Sequence, residues 1–193
     1  MSSKQLCGKI IIFTGSGKGK TTAALGVAIQ AAGNGQRAAV VQFLKGGGYT
    51  GELYSARYLD PYFSIKQFGF GCPIAVEIQS GEALCTKCGQ CFRENRNPAN
   101  HFAPQALAYA QELMNESVDV LVLDEISHAI KHKLIELEAV LALLNGRTPG
   151  MSIVLTGRNM PPEIIEMADD ASECRVVKHP IDSGIDARRG IEY

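Results

Sequence analysis

The stretch Phe13-Thr14-Gly15-Ser16-Gly17-Lys18-Gly19-Lys20-Thr21-Thr22 limits the folds open to this chain more than any other. It follows the apolar run Ile10-Ile11-Ile12-Phe13 and leads into Ala23-Ala24-Leu25-Gly26-Val27-Ala28. Strand, glycine loop and helix in that order make a phosphate-binding loop. Successive backbone N–H groups, a helix N-terminus and a lysine converge there on a polyphosphate. Gly15, Gly17 and Gly19 permit positive φ and close approach of the backbone, and Ser16 and Thr22 extend the cradle. Lys20 is expected to reach the terminal phosphates, and Thr21 to bind Mg²⁺ through its hydroxyl. Two features are irregular against the usual G-x4-G-K-S/T pattern. Thr14 replaces the first glycine, and an extra lysine, Lys18, lies inside the loop. They suggest that phosphate is held for something other than ordinary kinase or ATPase chemistry.

A second signature supports the first. Val120-Leu121-Val122-Leu123-Asp124-Glu125 is an apolar strand ending in two acids, the Walker B pattern, which puts carboxylate beside the loop to hold Mg²⁺. Strands are predicted at about 9–14, 37–43, 63–68, 118–124, 151–156 and 174–178. Helices are predicted at about 20–33, 51–59, 102–116, 135–145 and 161–168. Several strands are apolar on both faces, which favours burial between two helix layers. The expected fold is therefore a three-layer α/β P-loop (RecA-like) domain over 1–193, with a mostly parallel central sheet and ligands at the carboxyl ends of its strands. Residues 69–101 break the rhythm. They hold cysteines, glycines, prolines and charges without apolar periodicity, and read as an insert before the helix from about Phe102.

Composition narrows the function classes. The formal net charge is −1, with no basic stripe, so neither nucleic acid nor an anionic membrane is an expected partner. No run of about 18 apolar residues is present, and Met1–Cys7 reads poorly as a signal peptide. The expected compartment is the cytoplasm, where the six cysteines are thiols or metal ligands rather than disulfides. His101, His128, His132 and His179 fall in no catalytic motif; His128 and His132 read as an ordinary polar helix face.

With these residues in hand, the chain resembles the ATP:corrinoid adenosyltransferases of cobalamin synthesis. The resemblance rests on 13–24, Val-Val-Gln-Phe-Leu-Lys-Gly (40–46), Gly51-Glu52, Leu123-Asp124-Glu125, Thr156-Gly157-Arg158, Val-Lys-His-Pro (177–180) and Gly-Ile-Glu-Tyr (190–193). The irregular loop is itself a trait of that family. The resemblance implies transfer of the 5′-deoxyadenosyl group of ATP to the cobalt of a reduced corrinoid, cob(I)alamin or cob(I)yrinic acid a,c-diamide, with release of tripolyphosphate. It implies that ATP lies in the loop in the sense opposite to most P-loop proteins. Lys18, Lys20 and Mg²⁺ would then neutralise the departing triphosphate, and Arg158 would join the nucleotide contacts. It also implies an aromatic segment that displaces the lower axial ligand of cobalt(II). Here that segment is Gln67-Phe68-Gly69-Phe70-Gly71-Cys72: Phe70 matches one family aromatic, while Cys72 stands where a tryptophan is usual. Phe68 and Phe70 can equally be packing residues. A reductase supplying electrons, and a homodimer, complete what the family implies.

Cys85-Thr86-Lys87-Cys88-Gly89-Gln90-Cys91 is a C-x2-C-x2-C run, with Cys72 upstream as a fourth thiol. The family pattern does not require it. Structural zinc, a four-iron cluster able to pass an electron to cobalt, and metal-free thiols all fit the spacing. Cys7 and Cys174, beside strands, are expected to pack. Two other functions stay open: a thymidine-kinase-like nucleoside kinase and a RecA-like ATPase.

Overall fold

The computed structural model describes residues 8–47, 50–86 and 88–178, with positions 184, 188, 190 and 191. Its elements run β1 (Ile10–Thr14), α1 (Lys20–Gly33), β2 (Ala38–Phe43), α2 (Gly51–Ser55), β3 (Phe63–Phe68), α3 (Ala75–Ser80) and α4 (Gln90–Arg96). They continue with α5 (Phe102–Met114), β4 (Val120–Asp124), α6 (Ile126–Lys131), α7 (Leu137–Asn145), β5 (Ser152–Thr156), α8 (Pro162–Glu166) and β6 (Asp170–Glu173). The six strands form one sheet in the order β3-β2-β4-β5-β1-β6, and every pairing is parallel.

The strands are apolar on both faces because both faces are covered. Val120 and Val122 of β4, with Ala38 and Val40 of β2 and Val154 of β5, meet α1. That helix presents Ala24, Ala28, Ala31 and Ala32, small enough to let it lie close on the sheet. Leu121 and Leu123, with Val41, Phe43, Ile153 and Leu155, enter the larger core built with α5 and α7. Two cores on opposite faces make the three layers, as expected from the sequence. No helix among the described residues is long and apolar enough to cross a membrane.

The predicted elements differ from the observed ones where local signals are weak. The last strand is Asp170–Glu173, not 174–178. Its four residues are all exposed, because it pairs only with β1 at the sheet edge, where polar side chains are tolerated. The apolar Val176 and Val177 that suggested a strand are instead exposed. Helix 51–59 is α2 followed by a 3-10 turn at Ala56–Tyr58. The insert at 69–101 contains two short helices, α3 and α4, and a 3-10 turn at Pro98–Asn100. Helix α6, absent from the prediction, starts immediately after β4. Cys174 is half-buried. Cys7, His179-Pro180 and Glu192-Tyr193 lie outside the described residues.

Candidate functional site

The parallel sheet brings the carboxyl ends of β1, β5, β4 and β2 to one edge, and the expected nucleotide residues with them. β5 lies between β1, which feeds the loop, and β4, which ends in Asp124. Thr156 at the end of β5 donates to Asp124 Oδ1 (2.6 Å) and accepts from the Glu125 N–H (3.0 Å), fixing both acids from below. Gly157 follows with φ 142°, and a Cβ there would lie 1.9 Å from Ser127 Oγ. Only glycine fits this turn, which explains the Thr-Gly-Arg segment at 156–158.

Thr14 has a structural reason for replacing glycine. Its hydroxyl donates to the Gly157 carbonyl (2.9 Å), tying the loop's start to the β5 turn. The Gly17 N–H donates to the Cys174 carbonyl (2.8 Å), so this amide is engaged by the chain beyond β6 rather than pointing freely into the cradle. Lys20 is buried, and its Nζ donates to the Gly17 carbonyl (2.6 Å). Burial lowers the Lys20 pKa and neighbouring Arg158 lowers it further, against the opposing pull of Glu125, Cys174 and Asp124. Arg158 therefore stands within electrostatic reach of Lys20. Lys18 and Thr22 are exposed on the loop and the first turn of α1.

Asp124 is the centre of a buried polar network. Oδ1 accepts from Thr21 Oγ1 (2.8 Å) as well as Thr156, and Oδ2 accepts from Lys45 Nζ (2.8 Å) and Gln42 Nε2 (3.0 Å). Gln42 is fully buried and also donates to Glu52 Oε1 (3.2 Å), while Gln67 Nε2 donates to Gln42 Oε1 (2.8 Å). Burial alone would raise the Asp124 pKa, but the Lys45 ammonium and the hydroxyl donors hold it below the usual carboxylate range. For Lys45, burial works against the charge, and the Asp124 carboxylate reverses that, so its pKa is raised. Sequence reasoning assigned no role to Gln42, Lys45 or Glu52. The one signal was that polar Gln42 interrupts an otherwise apolar strand.

Glu125 takes a left-handed backbone (φ 64°, ψ 23°), uncommon for a residue with a side chain and often found at functional sites. His128 Nδ1 approaches its Oε2 to 2.8 Å, but out of line for a hydrogen bond, and this buried oxygen is left without a hydrogen-bond donor. Thr21 and Asp124 are in contact, and they and the orphaned Glu125 oxygen are hard oxygen donors, the kind that a divalent cation such as Mg²⁺ takes.

Beside these acids opens a largely apolar cavity of about 700 Å³. Lys45 and Glu125 border it, as do Phe70, Phe92, His128 and His132. The two histidines, expected on an ordinary polar face, thus face a cavity, with ring centroids 6.2 Å apart. The two aromatics of the 67–72 segment separate. Phe68 packs on Tyr109 with centroids 5.5 Å apart, and Phe70 borders the cavity. Asn95 on α4, unsuspected from sequence, holds Phe70 in place. Its Oδ1 accepts from the Phe70 N–H (2.7 Å), and its Nδ2 donates to the Leu44 carbonyl (2.8 Å). Asn95→Ala leaves both backbone groups without partners and is expected to destabilise the fold by about 1–3 kcal/mol. Asn95→Asp, which keeps the acceptor but not the donor, should lose less in a denaturant titration; equal loss would contradict this double tie.

Cys72, Cys85, Cys88 and Cys91 are free thiols that all border the same cavity. Among the described residues, no three His, Cys, Asp or Glu side chains are grouped closely enough to hold a metal ion.

A family model described as ATP:corrinoid adenosyltransferase BtuR/CobO/CobP matches residues 7–193. The chain is 35% identical over 189 residues to the corrinoid adenosyltransferase CobA of Salmonella typhimurium, covering 96% of this chain and 86% of that protein. The corrinoid adenosyltransferase of Escherichia coli gives the same identity and coverage. That of Pseudomonas aeruginosa is 33% identical over 186 residues, covering 96% of this chain and 84% of the relative. A match this extensive, taking in the irregular loop, the Asp124–Glu125 pair and the cavity-side segments together, makes the chain a member of the ATP:corrinoid adenosyltransferase family.

Proposed function

We propose that the chain transfers the 5′-deoxyadenosyl group of ATP to the cobalt of a reduced corrinoid and releases tripolyphosphate. The observation that carries this reading is the meeting of two unlike sites. A phosphate loop with its acid pair and a largely apolar cavity share Lys45 and Glu125 as a common border. A roomy apolar neighbour suits a macrocycle better than the hydroxyl acceptor of a kinase.

In this reaction the cobalt(I) lone pair attacks C5′ of ATP and a cobalt–carbon bond forms. The C5′–O bond breaks, and its electron pair leaves with the triphosphate. The chain contributes no nucleophile; its work is orientation and charge. The backbone of Gly15 and Gly19, with Ser16 and Thr22, cradles the triphosphate, while the Gly17 amide, expected in that cradle, is held by the Cys174 carbonyl. Lys18, Lys20 and Arg158 set positive charge around it as negative charge builds on the leaving group. Thr21, Asp124 and Glu125 would hold Mg²⁺, which when bound supplies further positive charge to the phosphates. Lys45 keeps the buried Asp124 carboxylate ionised for that purpose. Phe70 acts on the corrinoid side, favouring loss of the lower axial ligand before a separate cytoplasmic reductase delivers the electron.

The role given to Phe70 has a direct test. Phe70→Ala should reduce turnover that begins from cobalt(II) about tenfold or more, roughly the loss of one well-placed contact. Transfer to chemically supplied cobalt(I) should fall much less. Equal losses in the two assays would reject the assignment. For the reaction itself, incubation with ATP and thymidine should leave ATP intact; thymidine-dependent ADP would replace this reading with the nucleoside-kinase one.

A further inference from the structure

We propose that Cys72, Cys85, Cys88 and Cys91 form a thiolate metal centre on the wall of the cavity, taking a thiophilic metal as zinc or as an iron–sulfur cluster. This goes beyond the proposed reaction and does not depend on it.

Three observations converge. First, the four thiols come from separate turns of the 69–101 segment, yet all border one cavity, and all are free of disulfides. Cys72 follows β3, Cys85 and Cys88 lie between α3 and α4, and Cys91 is in α4. Second, the backbone turns sharply between Cys88 and Cys91. Gly89, directly after Cys88, has φ 74° and ψ 3°, a left-handed conformation that glycine adopts without strain and from which α4, carrying Cys91, begins. Third, the segment has almost no core of its own. Ile78 is its one buried apolar side chain among the described residues. Val76, Leu84 and Phe92 are 74%, 81% and 66% exposed. Apolar burial on that scale does not offset the entropy of ordering such a segment, whereas a metal held by four thiolates does.

The thiols border the cavity without meeting: no three stand within reach of one metal ion. Cys85 and Cys88 are exposed and Cys72 and Cys91 only half-buried, so drawing them together displaces no packed core. Closing that ring would fix the wall two residues beyond Phe70, adding to the tie that Asn95 already makes to the Phe70 N–H. The C-x2-C-x2-C spacing serves four thiolates on one zinc or on the irons of a cubane, since both need soft anionic sulfur.

The test is metal content of the full chain purified without oxygen, with zinc, iron and acid-labile sulfide measured per protein. The proposal expects about one zinc, or about four iron with matching sulfide, and these two results separate the sources. It expects the metal to be lost in Cys85→Ser and in Cys88→Ser, with a lower Tm in each. Should those variants fail to fold, the wild-type chain decides. Removing its metal with a chelator should expose four further titratable thiols and lower Tm, and adding back Zn²⁺, or Fe²⁺ with sulfide, should reverse both. A chain that binds neither metal as isolated or on reconstitution, or that retains its metal when Cys85 and Cys88 are both serine, overturns the proposal.

Discussion

Lys20→Ala is expected to lower kcat/KM for adenosyl transfer by about two to three orders of magnitude, the loss typical of removing one preorganised charge from a developing anion. The same substitution should leave the chain folded. Lys20 is buried against the Gly17 carbonyl, and burial holds its pKa below the ordinary lysine value. A lysine whose folded pKa is depressed binds its proton more weakly in the folded than in the unfolded state. Its charge therefore opposes folding at neutral pH, and stability rises as pH climbs past the folded pKa. Alanine removes that opposition. Transfer kinetics and thermal melting measured on one preparation separate the two effects. A variant that loses activity only because it unfolds would contradict the role given to Lys20 at the triphosphate.

Asp124→Ala is the second large effect, and here activity and stability should fall together. Asp124 is fully buried and accepts from Thr21, Thr156, Gln42 and Lys45. Without it, the partly buried Lys45 ammonium loses its carboxylate and the Gln42 amide keeps only Glu52, a loss of the kind that costs about 3–5 kcal/mol when a buried ion pair is broken. The pH dependence follows from the direction of the shift. The folded carboxyl is held below the usual range, so its stabilisation is complete above about pH 4, the unfolded carboxylate value, and is lost as pH falls through the lower folded value. The raised Lys45 pKa works at the other end. Its contribution is present below the ordinary lysine value and is lost as pH rises through the folded one. Denaturant titrations across the acid range should show wild type losing this increment below about pH 4, while Asp124→Ala, less stable throughout, lacks that step. An unchanged acid slope in the variant would contradict the pairing.

How much of this was legible in the sequence depends on how local each signal is. The loop and the acid pair were legible because each is a contiguous strand-end motif. The parallel sheet was legible because Val120–Leu123 and Ile153–Leu155 are apolar on both faces, the mark of a strand covered twice. β6 was not, because Asp170–Glu173 is polar and exposed and owes its conformation to β1 alone. The network around Asp124 was not, because Gln42 and Lys45 reach it across the sheet from positions 82 and 79 residues away in the chain. Phe68 and Phe70 look alike on paper. They part because one ends β3 against Tyr109 and the other lies past the strand's end, where Asn95 takes hold of its backbone. Thr14 first reads as an adaptation toward the phosphate, yet its hydroxyl serves the turn at Gly157. Lys18 remains the loop irregularity with a chemical reading.

In the proposed reaction this phosphate loop presents C5′ of ATP, not its γ-phosphorus, to the second substrate. Anaerobic incubation of the chain with ATP and chemically reduced cobalamin tests it most directly, by following the cobalt–carbon spectrum and identifying the phosphate product. The cobalt–carbon bond should form only when the corrinoid is present, with tripolyphosphate released in equal amount. ADP as the product, or ATP consumption indifferent to the corrinoid, would contradict it.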